Sequence, residues 1–297
     1  MVNPTTTAPK APTDDWNSTT YSTTVAPFVP ALTTKITALL APQASDVILD
    51  LGCGDGVLTK DLAAHAKHIV AIDSSANMIE AANKNYSAPN VEYHVWDGAD
   101  LAGFQAEHGE KQYDKVFSNA AIHWIMGSPD TLDEAKASTR RAHGFAGIFA
   151  ALKPNGLFIS ESGGHLNCAD IRAALFSALL ANGVTMQQIK AANPWWFPTV
   201  AEMRKELEKA GFEVELVEEE FRPTELTKEE DGGAGGWVRL FCARFLRLVE
   251  DEEKREEVVR SVAEVLEFVG GHGDVEGGSK CGYVRIRVVA RRPEVVV

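Results

Sequence analysis

Three glycines at alternate positions, flanked by carboxylates, are the first residues whose types and spacing can do chemistry. Gly52, Gly54 and Gly56 stand in "VILDLGCGDGVLTKDLA" (47–63), with Asp50 just before the loop and Asp55 inside it. Asp73 ends the apolar run of "IVAIDSS", and Asp97 falls in "VWDGADL". Glycine permits positive φ and lets a ligand approach the backbone closely. A helix beginning at Val57 offers free N–H groups and a positive dipole end. A pyrophosphate exploits such a corner, but the dinucleotide fingerprint is G-x-G-x-x-G, whereas the spacing here is G-x-G-x-G. Asp50 and Asp55 also repel a phosphate. These carboxylates suit a ligand that carries positive charge.

S-adenosylmethionine carries such charge in its ammonium and its sulfonium. Asp73 can accept both ribose hydroxyls. Asp97 can accept the adenine amino group, with the backbone of Gly98 and Ala99 beside the ring. The bland alternative is a tight turn that binds nothing. Three acidic residues after three successive strand ends favour the ligand.

The elements that must position these residues follow from periodicity. Short β-branched runs at Val47–Leu51, His68–Asp73, Val91–Trp96, Tyr113–Asn119 and Gly156–Glu161 alternate with helical patterns such as Val57–Ala66 and Ser75–Asn85. Alternation of this kind predicts a parallel sheet covered by helices on both faces. The tract "ALKPNGLFISES" reads as a helix end, a Pro-Asn-Gly turn and an apolar strand. Beyond Ser162 the spacing predicts helices over Cys168–Ala181 and Val200–Ala210, then a strand over Glu213–Phe221. Two glycine-rich stretches, 231–236 and 270–282, bracket a further helical region, and Tyr283–Arg292 alternates as a last strand.

These motifs resemble those of the class I S-adenosylmethionine-dependent methyltransferases, and within them the trans-aconitate methyltransferase group. The likeness rests on "ILDLGCGDG", "AIDSSANMIEAA", "FSNAAIHWI", the closing "RIRVVARR" and an N-terminal element with Trp16, Asn17 and Tyr21. It spans about 14 to 292, densely as far as 161. It implies a Rossmann-like α/β fold: a seven-stranded, mostly parallel sheet whose last strand is antiparallel, plus a helical cap. The expected organisation is a disordered tail at 1–13 and one methyltransferase domain at 14–297, with acceptor-side cap elements at about 125–145 and 165–270. The expected donor set is Asp50, Gly52, Cys53, Gly54, Gly56, Asp73, Ser74, Met78, Asp97, Gly98, Asn119 and Tyr21. The chain departs from the family by the insertion "WIMGSPDTLDEAKASTRRAHGF" between Trp124 and Phe145, which flanks the acceptor side.

The fourth strand delivers "SNAAIHWI" to the sheet edge that carries ligands in open α/β folds. His123 there is either a general base or a packed bystander, and Trp124 can face the acceptor. The other acceptor-side candidates are Trp16, Glu161, His165 and Trp196, with Arg222 or Arg239 as a clamp for an acidic substrate. Packing is the rival account of the run "PWWFP" at 194–198. A carboxylate acceptor, with a free pKa of roughly 4, needs no base; an alcohol, phenol or protonated amine does. The reading is therefore O-methylation of a carboxylate such as that of trans-aconitate. The alternatives are O- or N-methylation of a secondary metabolite with His123 as base, and a non-catalytic S-adenosylmethionine-binding regulatory module.

Composition bounds these readings. The 297 residues are 45% hydrophobic and 24% charged, with a formal net charge of -13. Such acidity argues against a nucleic-acid partner, but local arginines can still bind a small acid. No apolar run approaches the length of a membrane span. Cys53, Cys168, Cys242 and Cys281 are widely separated and form no CxxC pair, so neither a metal site nor a disulfide framework is expected. The N-terminus lacks the apolar core of a secretory signal. A cytoplasmic enzyme with a small-molecule acceptor is the expectation.

Overall fold

The strands are short apolar runs that bury both faces, as parallel strands covered by helices must. Leu49 and Leu51 of β1 (Val47–Leu51) and Val70 and Ile72 of β2 (His68–Asp73) have no exposed surface. The structure is a computed structural model and describes residues 14, 16–27, 32–127, 133–227, 232–270 and 280–294. The expected tail at 1–13 lies outside the described residues.

In chain order, a π-helical turn (Thr20–Val25) and α1 (Thr34–Leu40) precede β1. Then follow α2 (Val57–Ala63), β2, α3 (Ala76–Tyr86), β3 (Val91–Val95), α4 (Leu101–His108), β4 (Tyr113–Asn119), α5 (Ile122–Ile125) and α6 (Glu134–Ala151). After β5 (Leu152–Gly163) come α7 (Ala169–Ala181), α8 (Met186–Ala192), α9 (Val200–Lys209) and β6 (Glu213–Glu225). The chain ends in α10 (Gly233–Phe241), α11 (Ala243–Leu246), α12 (Glu252–Gly270) and β7 (Lys280–Arg291). The seven strands form one sheet in the order β3-β2-β1-β4-β5-β7-β6. β7 is antiparallel to both of its neighbours, and the other described pairings are parallel. The strand order reverses between β1 and β4, so a crevice opens at their carboxyl ends.

Local chemistry explains most boundaries. Ser75 caps α3 by accepting from Met78 N, and Asp133 caps α6 by accepting from Lys136 N. Thr185 with Gln188 and Thr199 with Glu202 form reciprocal capping boxes at α8 and α9. The structure differs from the sequence expectation in two strands. β5 begins at Leu152, so Pro154-Asn155-Gly156 is a kink inside the strand, with Asn155 at φ 64° and its N–H donating to Arg292 O at 2.8 Å. β6 continues through Pro223 to Glu225, which is tolerated because it is the edge strand.

The expected cap at 165–270 divides. Helices α7, α8, α10, α11 and α12 share an apolar core that includes Ile171, Leu175, Ile189, Val238, Phe245 and Val262. Between them, α9 and β6 belong to the sheet: Met203 and Leu207 pack with Phe158 and Phe212. The insertion after Trp124 becomes α6, which buries Phe145 and Ile148 in that same core. Each such side chain contributes about 1.5–3 kcal/mol of burial. No described helix is long and apolar enough to cross a membrane.

Candidate active site

A cavity of about 610 Å³ opens at the strand-order reversal. Its floor is the glycine loop. Gly52 has φ 78°, and a Cβ placed there would meet Ala121 Cβ at 2.2 Å, so loop and α5 touch as only glycine allows. Gly54 has nothing within 4 Å of its own virtual Cβ; that open space is where a ligand can lie on the backbone. Asp73, at the end of β2, ties the loop down by accepting from Gly54 N at 3.0 Å and Ser75 N at 2.9 Å. Burial pushes its carboxyl up, and those backbone bonds oppose the shift.

The cavity wall contains Gly52, Gly54, Asp73, Ser74, Met78, Asp97, Gly98, Asn119 and Tyr21 from the expected donor set. Three others lie elsewhere. Asp50 and Cys53 line an adjoining smaller cavity of about 240 Å³, together with Asp55 and with Tyr21, Gly52, Gly54 and Asn119 of the main wall. Asp50 accepts from Thr59 Oγ1 at 2.7 Å; burial, relieved in part by that bond and reinforced by Asp73, pushes its carboxyl up to about 7. Gly56 lines neither cavity; its φ of 84° and a Cβ that would meet Tyr93 Oη at 2.8 Å both call for glycine there. Asp55, expected to face the ligand, is engaged by the hydroxyl of Ser22.

Asp97 also differs from the expectation of a free carboxylate. Arg140, on the inserted helix α6, donates from Nη1 to Asp97 Oδ2 at 2.9 Å and from Nη2 to Oδ1 at 2.8 Å. Ala99 N donates to Oδ1 at 3.0 Å as well. A carboxylate offers about four lone-pair sites, so one remains for an adenine amino group.

The N-terminal segment closes the donor side. Asp14 accepts from Ser75 Oγ at 2.9 Å and Asn77 N at 3.1 Å. Trp16 stands edge-on to Tyr21, Trp124 and Phe241. Burial, with help from Asp55, pushes the Tyr21 phenol up to about 12, so it stays a donor.

On the acceptor side the cavity reaches His123, Trp124 and Glu161. His123 is 6% exposed, and its Nδ1 accepts from Gly163 N at 3.2 Å. That bond assigns the ring proton to Nε2. Burial first, then the charge of Arg285, holds its pKa well below 6.5. His123 is a neutral donor, wedged against Phe197 at 5.3 Å between centroids.

Glu161 is the centre of a buried ionic hub. It accepts from Arg287 Nε at 2.6 Å, Arg222 Nη2 at 3.0 Å and Arg285 Nε at 3.3 Å. The strand register places Arg287 opposite both Glu161 and Glu218. Burial raises the Glu161 carboxyl, but Arg285, Arg222 and Arg287 outweigh it and hold the carboxyl below its usual range.

Two expected acceptor residues are not brought to the cavity. His165 is exposed, with its backbone N–H donating to Glu219 Oε1 at 3.1 Å. Trp196 points into the sheet core against Phe145, because the extended run 195–197 alternates its side chains; its neighbours Trp195 and Phe197 line the cavity instead. Arg239 pairs with Glu256 away from the cavity, while Arg222 lies in its wall. Sequence reasoning missed Asp14, Arg140 and Arg285. The alternate arginines at 285 and 287 inside an apolar strand were the one available signal, since charges at that spacing share a face.

Comparison with known proteins decides the family. Residues 48–156 match the family model described as a methyltransferase domain. The chain is 37% identical over 234 residues to a protein of Schizosaccharomyces pombe described as an uncharacterized methyltransferase, covering 79% of this chain and 83% of that one. The chain belongs to the class I S-adenosylmethionine-dependent methyltransferases. The methyltransferase shares its fold with a SAM-dependent methyltransferase from Anabaena variabilis (TM-score 0.54, 17% identity, 93% of this chain and 91% of that one). It also shares it with the cyclopropane synthase MmaA2 from Mycobacterium tuberculosis (TM-score 0.50, 15% identity, 86% and 82% covered). S-adenosylmethionine is the donor of this methyltransferase, and the open backbone at Gly54 beside Asp73 fits it.

Proposed function

We propose that this methyltransferase esterifies the carboxylate of a small organic acid. The observation that carries the reading is His123: a buried, neutral imidazole whose one acceptor nitrogen is taken by Gly163 N–H. It can donate to an acceptor oxygen but has no lone pair there to remove a proton. Glu161, the carboxylate nearest in role, is held by three guanidinium groups and is a poor base. An acceptor that arrives already ionised needs neither.

When bound, S-adenosylmethionine supplies a methyl group on a positively charged sulfur. The chain's own contribution is positioning. Asp73 would receive the ribose hydroxyls, Asp97 and the backbone at Gly98–Ala99 would receive adenine, and Asn119 and the Gly52–Gly54 backbone would hold the amino-acid end. Tyr21 and Trp16 exclude water over the donor. His123 Nε2–H and the arginine wall orient the acid.

The resemblance of "NAAIHW" and the two chain ends makes trans-aconitate the first acid to assay. Incubation with labelled S-adenosylmethionine and a panel of organic acids tests the reading. The expected product is a methyl ester that mild base hydrolyses. A product stable to base, as an ether or N-methyl amine is, overturns it.

A further inference from the structure

Resting on the carboxylate reading, we infer that the acceptor is a monoanionic acid with a flat apolar body: one carboxylate docked at Arg285 and a hydrophobic remainder among aromatic rings. Arg285 is 4% exposed and lines the cavity. Among the described residues its guanidinium has one hydrogen-bond partner, Glu161 Oε1, reached through Nε. Its two terminal NH₂ groups are left over, and they can take a carboxylate in the two-pronged way that a guanidinium favours. Arg222 in the same wall has a buried Nε with no partner among the described residues. Buried donors of this kind call for an acceptor.

The charge count limits how many anionic groups the wall can take. Arg285 and Arg222 bring two positive charges and Glu161 removes one. Extending the count to the whole hub gives the same answer, because Lys35 and the three arginines face three carboxylates, Glu161, Glu218 and Glu220. One net positive charge matches one carboxylate. Arg140 is committed to Asp97, and Arg244 is already engaged in an interaction of its own.

The remaining surface is aromatic. Trp124, Trp195, Phe197, Trp237, Phe241 and Tyr283 line the acceptor side. They interlock, with Trp195 stacked on Phe197 at 5.5 Å and Trp237 tilted against Phe241 at 5.0 Å. The Trp237 indole N–H is satisfied by Tyr283 Oη at 2.7 Å, so it presents a ring and not a donor. A second or third carboxylate of a polyacid would be desolvated against these rings without a partner, which is costly. A flat apolar body gains their area and stacking instead.

The test uses the full-length enzyme and acids that differ in one property. Cinnamate and indole-3-acetate represent flat monoacids, and trans-aconitate and citrate represent polyacids. The expected result is a kcat/KM for methyl-ester formation on the order of 10²-fold higher for the flat monoacids. The variant Arg285→Gln is expected to raise KM for the monoacid at least tenfold while leaving the dissociation constant of S-adenosylhomocysteine within threefold. Preference for trans-aconitate or citrate overturns the monoanion inference and leaves the carboxylate reading standing. Esterification of none of the acids, with the donor bound normally in calorimetry, overturns the carboxylate reading and takes this inference with it.

Discussion

The two halves of the cavity are built on opposite electrostatic plans. The donor half is acidic: Asp14, Asp73 and Asp97 line it, with Asp50 and Asp55 behind the glycine loop. The acceptor half is basic and aromatic, with Arg222 and Arg285 set around Glu161. The difference teaches that a chain with net charge -13 can still present a cationic wall to one reactant. On the proposed reading it also sorts the reactants by charge, since a cationic donor and an anionic acid would each be repelled from the wrong half.

The halves also differ in how they are held. Most of the proposed donor contacts come from backbone and side chains within a few residues of four strand ends, those of β1 to β4, so each is held locally. The acceptor wall depends on one carboxylate serving three arginines from two other strands, β6 and β7. Removing that carboxylate is the strongest way to break the contrast. Glu161→Ala is expected to lose about 3–5 kcal/mol of stability in denaturant melts, the usual result of leaving buried charges unpaired. Donor affinity, measured by calorimetry where the variant remains folded, should stay within threefold. A parallel collapse of donor affinity would mean the halves are one unit.

The mirror experiment is Asp73→Ala. It removes a carboxylate meant for two ribose hydroxyls and frees the Gly54 and Ser75 N–H groups. Charged hydrogen bonds of this kind are worth about 1.5–3 kcal/mol each, so S-adenosylmethionine binding should weaken by roughly 10²–10⁴-fold. The melting temperature should move far less than in Glu161→Ala.

Acid titration resolves two groups within the acceptor half, His123 and Glu161, both of whose pKa values are lowered. The His123 pKa is depressed, so the unfolded chain takes up its proton more readily; stability present above pH 6.5 is lost as pH falls below it. The Glu161 pKa is depressed from 4.5, so its contribution is present above that value and lost as pH falls through the lower folded value. Melts from pH 8 down to about 2 should therefore show an early loss that His123→Gln removes, followed by a later one, below pH 4.5, that it does not. At pH 7 to 9 the same variant should keep kcat within about tenfold of the parent, the low end of base catalysis being roughly 10²-fold. A larger drop would restore the histidine as a base.

The smallest effect sharpens the boundary between the halves. Arg140 belongs to the inserted helix α6 yet serves the donor side by holding Asp97. Arg140→Ala should weaken donor binding by about two- to tenfold, in line with a partly exposed ion pair worth about 0.2–1 kcal/mol plus its bidentate geometry. KM for the acid should not change.

Much of the donor half was legible in the residues themselves. Asp73, Gly52, Gly54 and Asn119 each sit at the end of a strand or in the loop after it, so recognising the strand was enough to place them at the cavity wall. Asp50 and Gly56 belong to the same motif, yet Asp50 is bonded to Thr59 and lines the smaller cavity while Gly56 packs against Tyr93, because the chain turns from strand to helix between them. Trp196 fell to the alternation of the extended run 195–197, with Trp195 and Phe197 taking the cavity. His165 was a candidate from its place just after the fifth strand; β5 runs on to Gly163, and His165 beyond it is exposed.

The sequence by itself determined the α/β order, the carboxyl ends of β1, β2 and β4 and a donor pocket that suits a cationic nucleoside, because those features depend on contacts within a few residues. Only the tertiary structure decided that His123 is neutral and donating, that Arg140 reaches back to Asp97, and that Glu161 gathers Arg222, Arg285 and Arg287. Those contacts join residues 40 to 126 positions apart. Burial and charge pairing at such separations follow from how the sheet is assembled, and no local pattern encodes them.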